Sequence, residues 1–202
     1  WAQVRPAFLV WTTTPWTLTA NMALAIGPSE EYALVESYDA QERIVMASAL
    51  VASVLGDDWK ILERFAGADL VGMLYDPPFR SGELASHDHR VLAASHVTTT
   101  EGTGIVHTAP AYGADDAELG KEHDFPTVHT VDLRGILQGE FPGAGTFVKV
   151  ADKEIIKDLG ERGLLFKSET IRHTYPFCWR CSTPLLYYAK ASWYIQTTAV
   201  KE

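Results

Sequence analysis

The chain has 202 residues, 47% of them hydrophobic, which is enough to bury the core of one domain with an appendage. Its net charge of −9 argues against wrapping nucleic acid by bulk electrostatics, although contact with one nucleic-acid end needs only a few local cations. Because no run approaches the roughly 18 apolar residues of a membrane span and no signal peptide is visible, we expect no membrane partner. The chain opens on Trp1 without a Met, so we expect a fragment of a longer protein.

The first informative stretch begins with an apolar run at 7–11, which predicts a buried strand. Three threonines follow at 12–14, and Pro15 then ends regular pairing. The strand end would display hydroxyls and unpaired backbone groups beside Trp11 and Trp16, an arrangement suited to a small polar molecule with an apolar part. A threonine run before a proline is also typical of a plain edge strand that ends in a turn.

Short strands at close spacing dominate the next eighty residues. We predict them at 22–26, 32–36, 43–45, 60–65 and 90–94, with a short buried helix at 47–55 that Gly56 ends, and a loop over most of 67–88. This spacing is typical of an antiparallel barrel or sandwich.

The segment 105–110 repeats the logic of the first stretch, because a buried strand that contains His107 is broken by Pro110. A helix is predicted at 114–123 with Asp115 and Asp116 in its first turn, where the positive end of the helix dipole favours ionised carboxylates. Asp116 lies nine residues after His107 across a strand–loop–helix junction, so the two side chains are placed to line one cleft. The alternative is that the aspartates only cap the helix and that His107 is an ordinary strand residue.

The last third is predicted to hold a short strand at 128–131, a glycine-rich loop at 135–145 and a helix at 152–163. Residues 164–166 would lead into a further strand, and aromatic-rich strands would end near 193–194.

The only two cysteines, Cys178 and Cys181, are spaced Cys-x-x-Cys, which favours a reducing compartment and metal or redox use. They supply half of a structural zinc site; His173 would be a third ligand at a spacing that is not diagnostic, and the missing pair would lie outside the chain. The chain lacks a Gly-x-Ser-x-Gly elbow and both glycine-rich phosphate-binding motifs, so a serine hydrolase or a nucleotide hydrolase is not supported.

Three motifs together resemble the editing domain of isoleucyl-tRNA synthetases and the segment that follows it. They are Trp-Thr-Thr-Thr-Pro-Trp-Thr-Leu-x-Ala-Asn at 11–21, Gly-Thr-Gly-Ile-Val-His-x-Ala-Pro-x-x-Gly-x-x-Asp at 102–116, and His-x-Tyr-Pro-x-Cys-Trp-Arg-Cys at 173–181. The valyl and leucyl relatives carry Thr-Thr-Arg-Pro in the first motif, so the isoleucyl family is preferred.

The resemblance implies a mainly β fold with peripheral α-helices (α+β) and a β-barrel-like core. It also implies an editing domain over 7–168 and a connecting segment over 169–202 that leads back to a catalytic core. The implied activity is hydrolysis of valine attached to the tRNA for isoleucine, and of valyl-adenylate, by a part of an ATP-dependent isoleucine–tRNA ligase. Isoleucine and valine are the standard example of a pair that one apolar pocket separates poorly, so a second pocket removes the smaller product.

Roles follow from the resemblance residue by residue. Thr12, Thr13 and Thr14 would bind the ester region and position a water, so they are the catalytic residues. Asp116 would pair with the α-ammonium of the substrate, His107 would contact or restrict its side chain, Trp11 would form part of the wall and Asn21 would support the site. Editing itself would need no cofactor, and zinc is expected at Cys178 and Cys181 with further ligands outside the chain.

The partners implied are the 3′ end of the tRNA that carries valine, valyl-adenylate and the rest of the parent synthetase, in the cytoplasm. Two other functions stay open. One is a zinc or interaction module built on the cysteine pair, and the other is a general esterase that uses the same strand ends.

Overall fold

The computed structural model describes residues 5–39, 41–80, 82–170 and 175–199. Within these residues there are seven strands: β1 (Ala7–Phe8), β2 (Ala23–Ile26), β3 (Glu31–Ser37), β4 (Arg43–Ala47), β5 (Trp59–Ala66), β6 (Arg90–Ala93) and β7 (Ile105–Thr108). The α-helices there are α1 (Val51–Leu55), α2 (Ala114–Glu122) and α3 (Val148–Glu161). Segments of 3-10 helix occupy Pro15–Ala20, Ser48–Leu50, Gly67–Leu70, Gly82–Leu84 and Thr197–Ala199.

The first sheet has the strand order β1-β4-β3-β5. Its centre is the β3–β4 hairpin, whose turn is organised by Asp39: Ser37 Oγ and the Gln41 amide both donate to the Asp39 carboxylate. The β3–β5 pairing shifts register between Leu34 and Val35, which marks a β-bulge. The inner face buries side chains of β3 and β4 in the larger hydrophobic core.

The second sheet has the order β6-β2-β7, with β2 parallel to β6 and antiparallel to β7. All four residues of β2 are buried, because it is the middle strand and both of its faces are covered. The register places Leu24 opposite His107 and Ala23 opposite Thr108. The end of β7 therefore lies beside the start of β2, directly after the first motif.

The two sheets join where β7 begins. The Ala47 amide donates to the Thr103 carbonyl (2.9 Å), the Tyr32 hydroxyl donates to the Gly104 carbonyl (2.7 Å), and Trp11 forms a parallel bridge with Val106. Through these contacts both sheets share one core. The prediction of a mainly β fold with peripheral helices is confirmed, but no closed barrel of strands is present in the described residues.

Several predicted elements differ from those observed. The strand at 7–11 is wrong beyond its first two residues: β1 ends at Phe8, and Trp11 makes an isolated bridge on the other sheet. The strand at 128–131 is reduced to an isolated bridge between Val131 and Leu137, because the Thr130 and Val131 amides donate to the Tyr112 hydroxyl.

The helix predicted at 152–163 begins four residues earlier, at Val148, and ends at Glu161. Strands expected after 164 and up to 195 do not form in 164–170 or 175–199, where Phe177 and Pro184 make an isolated bridge. The division of the chain at 168/169 stays a prediction. No helix in the described ranges is long and apolar enough to cross a bilayer.

Candidate functional site

The threonine stretch runs directly into the 3-10 helix Pro15–Ala20, because Pro15 has no amide hydrogen and its fixed φ suits the first helical position. The Thr14 amide donates to Thr12 Oγ1 (3.1 Å), which forms a side-chain turn across Thr13. Thr12 and Thr14 are half-buried, whereas Thr13 is exposed. The Thr12 hydroxyl is used inside this turn, and the Thr14 hydroxyl lies 3.2 Å from that of Thr17.

A fourth threonine in the same motif links the stretch to β7. Thr17 Oγ1 lies 2.8 Å from the Thr14 carbonyl, 2.8 Å from His107 Nε2 and 3.2 Å from Thr14 Oγ1. The carbonyl only accepts, so the Thr17 hydroxyl donates to it, and His107 Nε2–H must donate to Thr17. This assigns the Nε2–H tautomer and leaves His107 Nδ1 as an acceptor.

His107 is a neutral residue in this structure. It is buried, and burial lowers its pKa to about 4. Nδ1 of His107 and Oγ1 of its neighbour Thr108 are both buried without a hydrogen-bond partner among the described residues. Because native structures pair nearly all such atoms, and successive strand residues point to opposite faces, the unpaired Nδ1 marks the face of β7 on which His107 lies as a place for a polar ligand or water.

Asp116 lies in the first turn of α2, half-buried, and its Oδ2 accepts a hydrogen bond from the Ala109 amide (3.0 Å). Burial raises the pKa of its carboxyl, and the Ala109 hydrogen bond opposes that rise. The sequence-based expectation considered only the helix dipole, which also favours the ionised form. Ionisation of Asp116 therefore depends on a balance between burial and these donors.

Asn21 is fully engaged in backbone support. Its Nδ2 donates to the Ala23 carbonyl (3.0 Å), its Oδ1 accepts from the Tyr75 hydroxyl (2.5 Å) and its carbonyl faces His89 Nε2 (3.0 Å). These bonds fix the passage from the 3-10 helix into β2. The support role expected for Asn21 in the site stays a prediction.

Trp11 covers one edge of the same region. It is 41% exposed, and its ring carbons lie against Gly102, where an added Cβ would come within 3.2 Å of them. Gly102 has a φ of +68°, so glycine is required there for both backbone and space.

The fold thus brings Thr12, Thr14 and His107 into one hydrogen-bonded chain through Thr17. Asp116 contacts the residue that follows β7, because its carboxylate accepts the Ala109 amide. Among the described residues Asp116 makes no hydrogen bond to a threonine. Sequence reasoning did not assign a role to Thr17, although its spacing of three residues from Thr14 in a helical turn was a usable signal.

Sequence reasoning also missed Asp152, which α3 presents to the threonine stretch. Its Oδ1 accepts from the Trp16 amide (2.9 Å), one of the unpaired donors at the start of the 3-10 helix, while Thr14 makes no side-chain cap. Trp16 and Asp152 are 136 positions apart, and no local sequence pattern predicts their contact.

The cysteine pair sits in a tight turn of its own. The Ser182 amide donates to the Cys178 carbonyl (2.8 Å), and Cys181 Sγ lies 3.1 Å from Thr183 Oγ1, a hydrogen bond that lowers the pKa of the Cys181 thiol. Two thiols fit half of a tetrahedral zinc site. No third ligand joins them among the described residues, and His173 lies outside those residues.

Comparisons with known proteins find relatives of this sequence. No protein-family model matches the chain. It is 45% identical over 215 residues to an isoleucine–tRNA ligase of Dehalococcoides mccartyi, covering 98% of the chain and 21% of the relative. The ligases of Thermobifida fusca (46% identity, 98% of the chain) and Methanothermobacter thermautotrophicus (48%, 96%) are each matched over 19% of their length. The chain therefore spans about a fifth of the length of these curated relatives.

Solved structures agree on the fold. GlLeuRS-CP1 superposes with a TM-score of 0.69 at 16% identity, covering 83% of this chain and 86% of that one. An editing domain of the cytosolic leucyl-tRNA synthetase of P. falciparum gives a TM-score of 0.59 at 15% identity, covering 78% and 79%. At these identities the likeness establishes a shared architecture.

Proposed function

We propose that this chain, which belongs with the segment of isoleucine–tRNA ligases that it matches and has the fold of a synthetase editing domain, hydrolyses mis-acylated tRNA. The observation that carries the proposal is the hydrogen-bonded chain from Thr14 through Thr17 to His107, at a strand end that also holds Asp116. This constellation offers hydroxyls, an unpaired imidazole nitrogen and a carboxylate at one end of β7.

The substrate proposed is valine esterified to the tRNA for isoleucine, with valyl-adenylate as a second substrate. The carboxylate of Asp116 binds the α-ammonium group of the amino acid. His107 is held in one orientation by Thr17 and limits the space for the side chain, so that valine enters and isoleucine, larger by one methylene, is excluded. Steric exclusion is needed because an apolar pocket gains little by choosing between the two through affinity alone.

The reaction proposed is direct attack of water on the ester carbonyl. The water oxygen forms the new carbon–oxygen bond, the bond to the ribose oxygen breaks, and that oxygen leaves with a proton, so free valine and a free tRNA end result. Hydroxyls of Thr12, Thr13 and Thr14 orient the water and, with local amides, stabilise the developing oxyanion. No acyl-enzyme is required, because the threonine hydroxyls serve as hydrogen-bonding groups.

The remaining partners follow from this assignment. The chain meets the 3′ end of the tRNA and the rest of the parent synthetase, and it works in the cytoplasm, where aminoacylation takes place. Zinc at Cys178 and Cys181, completed by ligands outside the chain, is proposed as a structural element separate from hydrolysis. Metal analysis of the parent protein with and without Cys178→Ser tests it, and an identical zinc content in both would contradict it.

The decisive experiment compares the hydrolysis of valyl-tRNA and isoleucyl-tRNA by this chain and by two variants. Asp116→Ala should lower the rate for valyl-tRNA by about 100-fold or more, because the ammonium group loses its charged partner. Asp115→Ala removes the exposed carboxylate next to it and should leave the rate unchanged. Equal rates for Asp116→Ala and the unchanged chain would contradict the proposal, and broad tolerance of acyl groups would favour a general esterase.

A further inference from the structure

A second concave site lies beside the helix α2. It is a cavity of about 550 Å³ between α2 and the segment 188–194, within the range of small-molecule sites in proteins. Pro110, three residues after His107, forms part of its wall, and Ala117, next to Asp116, forms another part. The cavity therefore borders the candidate site along the chain but has residues of its own.

Two stacked rings form a flat surface in this cavity. The rings of His129 and Tyr188 lie 4.3 Å apart with an angle of 17° between their planes. Tyr188 is held in place, since its hydroxyl donates to the Val131 carbonyl (3.1 Å) and the next amide, of Ala189, donates to the Ala111 carbonyl (2.8 Å). His129 is exposed, so the pair presents a flat ring face to a ligand.

The charge of the cavity is opposite to that of the chain. Lys121 and Lys190 line it from its two sides, both are exposed, and neither forms an ion pair with another described residue. No carboxylate is among its described lining residues, although the chain carries 26 acidic residues and a net charge of −9. A pair of lysines beside aromatic rings, free of carboxylates, is suited to an anion that carries a planar group.

Aromatic contacts connect this cavity to the first motif. Tyr112 lies 6.0 Å from both His129 and Tyr188, and on its other side it packs edge-on against Trp16 at 4.7 Å. Trp16 is the residue whose amide Asp152 holds. The cavity is therefore connected through Tyr112 and Trp16 to the motif that contains the threonines.

We propose that this cavity binds a nucleotide, with its base stacked on the His129–Tyr188 pair and its phosphate between Lys121 and Lys190. This rests on the proposed function: the nucleotide is an unpaired one of the RNA strand whose end carries the ester. Because any base can stack on an aromatic ring, the cavity increases the affinity for the RNA strand and fixes its path. Selection of particular bases is left to other parts of the parent protein.

The test uses the whole chain and an unacylated single-stranded RNA trinucleotide that ends in adenosine, followed by amide chemical shifts. Shifts at Gly120, Lys121 and Ala189 should move and saturate together. A mononucleotide that binds as tightly would assign the site to a free nucleotide, and tighter binding of the trinucleotide assigns it to a strand. Inorganic pyrophosphate that binds as well as either would overturn the proposal, because only charge would then be read.

Variants separate the two halves of the site. Lys121→Gln with Lys190→Gln should weaken trinucleotide binding about tenfold and reduce its salt dependence, lowering the slope of log K against log salt by about 0.7, as expected for one phosphate of a single strand. His129→Ala, at an exposed position, should weaken binding about tenfold without changing the slope, because it removes stacking alone. Lys157→Gln, on an exposed lysine of α3 that pairs with Glu161, is the matched control and should bind as the unchanged chain does.

Unchanged binding in both cavity variants would overturn the nucleotide site. Asp116→Ala distinguishes it from the hydrolytic proposal, because that variant should lose hydrolysis and keep trinucleotide binding. Hydrolysis that persists without trinucleotide binding at Gly120 and Ala189 would contradict the cavity alone, and binding there without any hydrolysis would contradict the proposed function alone.

Discussion

At the scale of single residues, the structure organises the candidate site around the hydroxyl of Thr17. This hydroxyl is the shared partner of the Thr14 carbonyl, the Thr14 hydroxyl and His107 Nε2. A buried group with several partners is costly to remove, because every partner left behind loses a hydrogen bond that no water replaces. Thr17 is therefore the residue through which the threonine stretch and β7 depend on each other.

Replacing Thr17 with Val keeps the shape of the side chain and removes the hydroxyl. We expect the free energy of unfolding to fall by about 1–3 kcal/mol, because the Thr14 carbonyl and His107 Nε2–H lose their partner. Valyl-tRNA hydrolysis should fall on the order of 10- to 100-fold as the imidazole loses its orientation. Urea unfolding and single-turnover hydrolysis measure the two effects. Thr17→Ser keeps the hydroxyl and should retain most of both; a Val variant equal to the Ser variant would contradict the assigned network.

The burial of His107 has a consequence for the pH dependence of stability. Its pKa is about 4 in the folded chain against 6.5 for an ordinary histidine, so between these values the unfolded chain binds a proton that the folded chain does not. The stability from a neutral His107 is thus complete above pH 6.5 and is lost as the pH falls towards 4. The full difference is roughly 3 kcal/mol.

This effect is measured by urea unfolding between pH 4 and 7 for the unchanged chain and for His107→Gln, which does not titrate. The difference between the two unfolding free energies isolates His107, since the buried carboxyls Asp116 and Asp152 titrate in both. The unchanged chain should gain stability relative to the variant as the pH rises. Parallel curves would show that His107 is not buried in its neutral form.

At the scale of elements, the 3-10 helix Pro15–Ala20 is held from outside its own sequence. Thr14 does not cap it with a side chain, and Asp152 of α3 accepts the Trp16 amide instead. Such a contact fixes the direction in which the threonine stretch leaves the helix. Asp152 is therefore a positioning residue for the threonines.

Asp152→Ala should lower the free energy of unfolding by about 1–2 kcal/mol, as expected for a lost helix cap, and reduce hydrolysis of valyl-tRNA. Asp152→Asn keeps the accepting oxygen and should recover most of both. Asp158→Asn is the control on the same helix, because it breaks only the ion pair with Arg162. Urea unfolding and steady-state hydrolysis of valyl-tRNA are the measurements. An Asp152→Ala variant that behaves like the Asp158→Asn control would contradict the positioning role of Asp152.

At the scale of the whole molecule, the two sheets depend on a close approach at the start of β7. Gly104 has a φ of +73°, and an added Cβ would lie 2.4 Å from the Cβ of Ala47 on β4. Its carbonyl also accepts the Tyr32 hydroxyl from β3. Gly104 therefore determines how closely β7, which carries His107, packs against the first sheet.

Gly104→Ala should destabilise the chain by about 2–4 kcal/mol, which combines the strain of a left-handed backbone with overpacking between the sheets. Gly163→Ala is the matched control, because Gly163 has a φ of +68° and nothing within 4 Å of an added Cβ. It should cost about 1 kcal/mol from backbone strain alone. Thermal unfolding of both variants tests this, and equal losses would show that the contact between the sheets is not tight.

Local chemistry in the sequence determined a substantial part of this protein. Apolar runs bounded by glycine, proline or aspartate predicted β2, β3, β4, β5, β6 and β7 close to their observed positions. The proline after three threonines predicted the end of strand pairing, and two aspartates predicted the start of α2. These signals are reliable because they act within a few residues, through backbone dihedrals and hydrophobic period.

Tertiary structure alone decided the contacts that make a site of these elements. Thr17 meets His107 across 90 positions and Trp16 meets Asp152 across 136, and in both cases the partner is set by how a sheet or a helix packs. The strand predicted at 128–131 failed for the same reason, since a buried hydroxyl on Tyr112 took the amides that a strand would have paired. Hydrogen bonds between distant residues follow from the packing of the core, which no short stretch of sequence encodes.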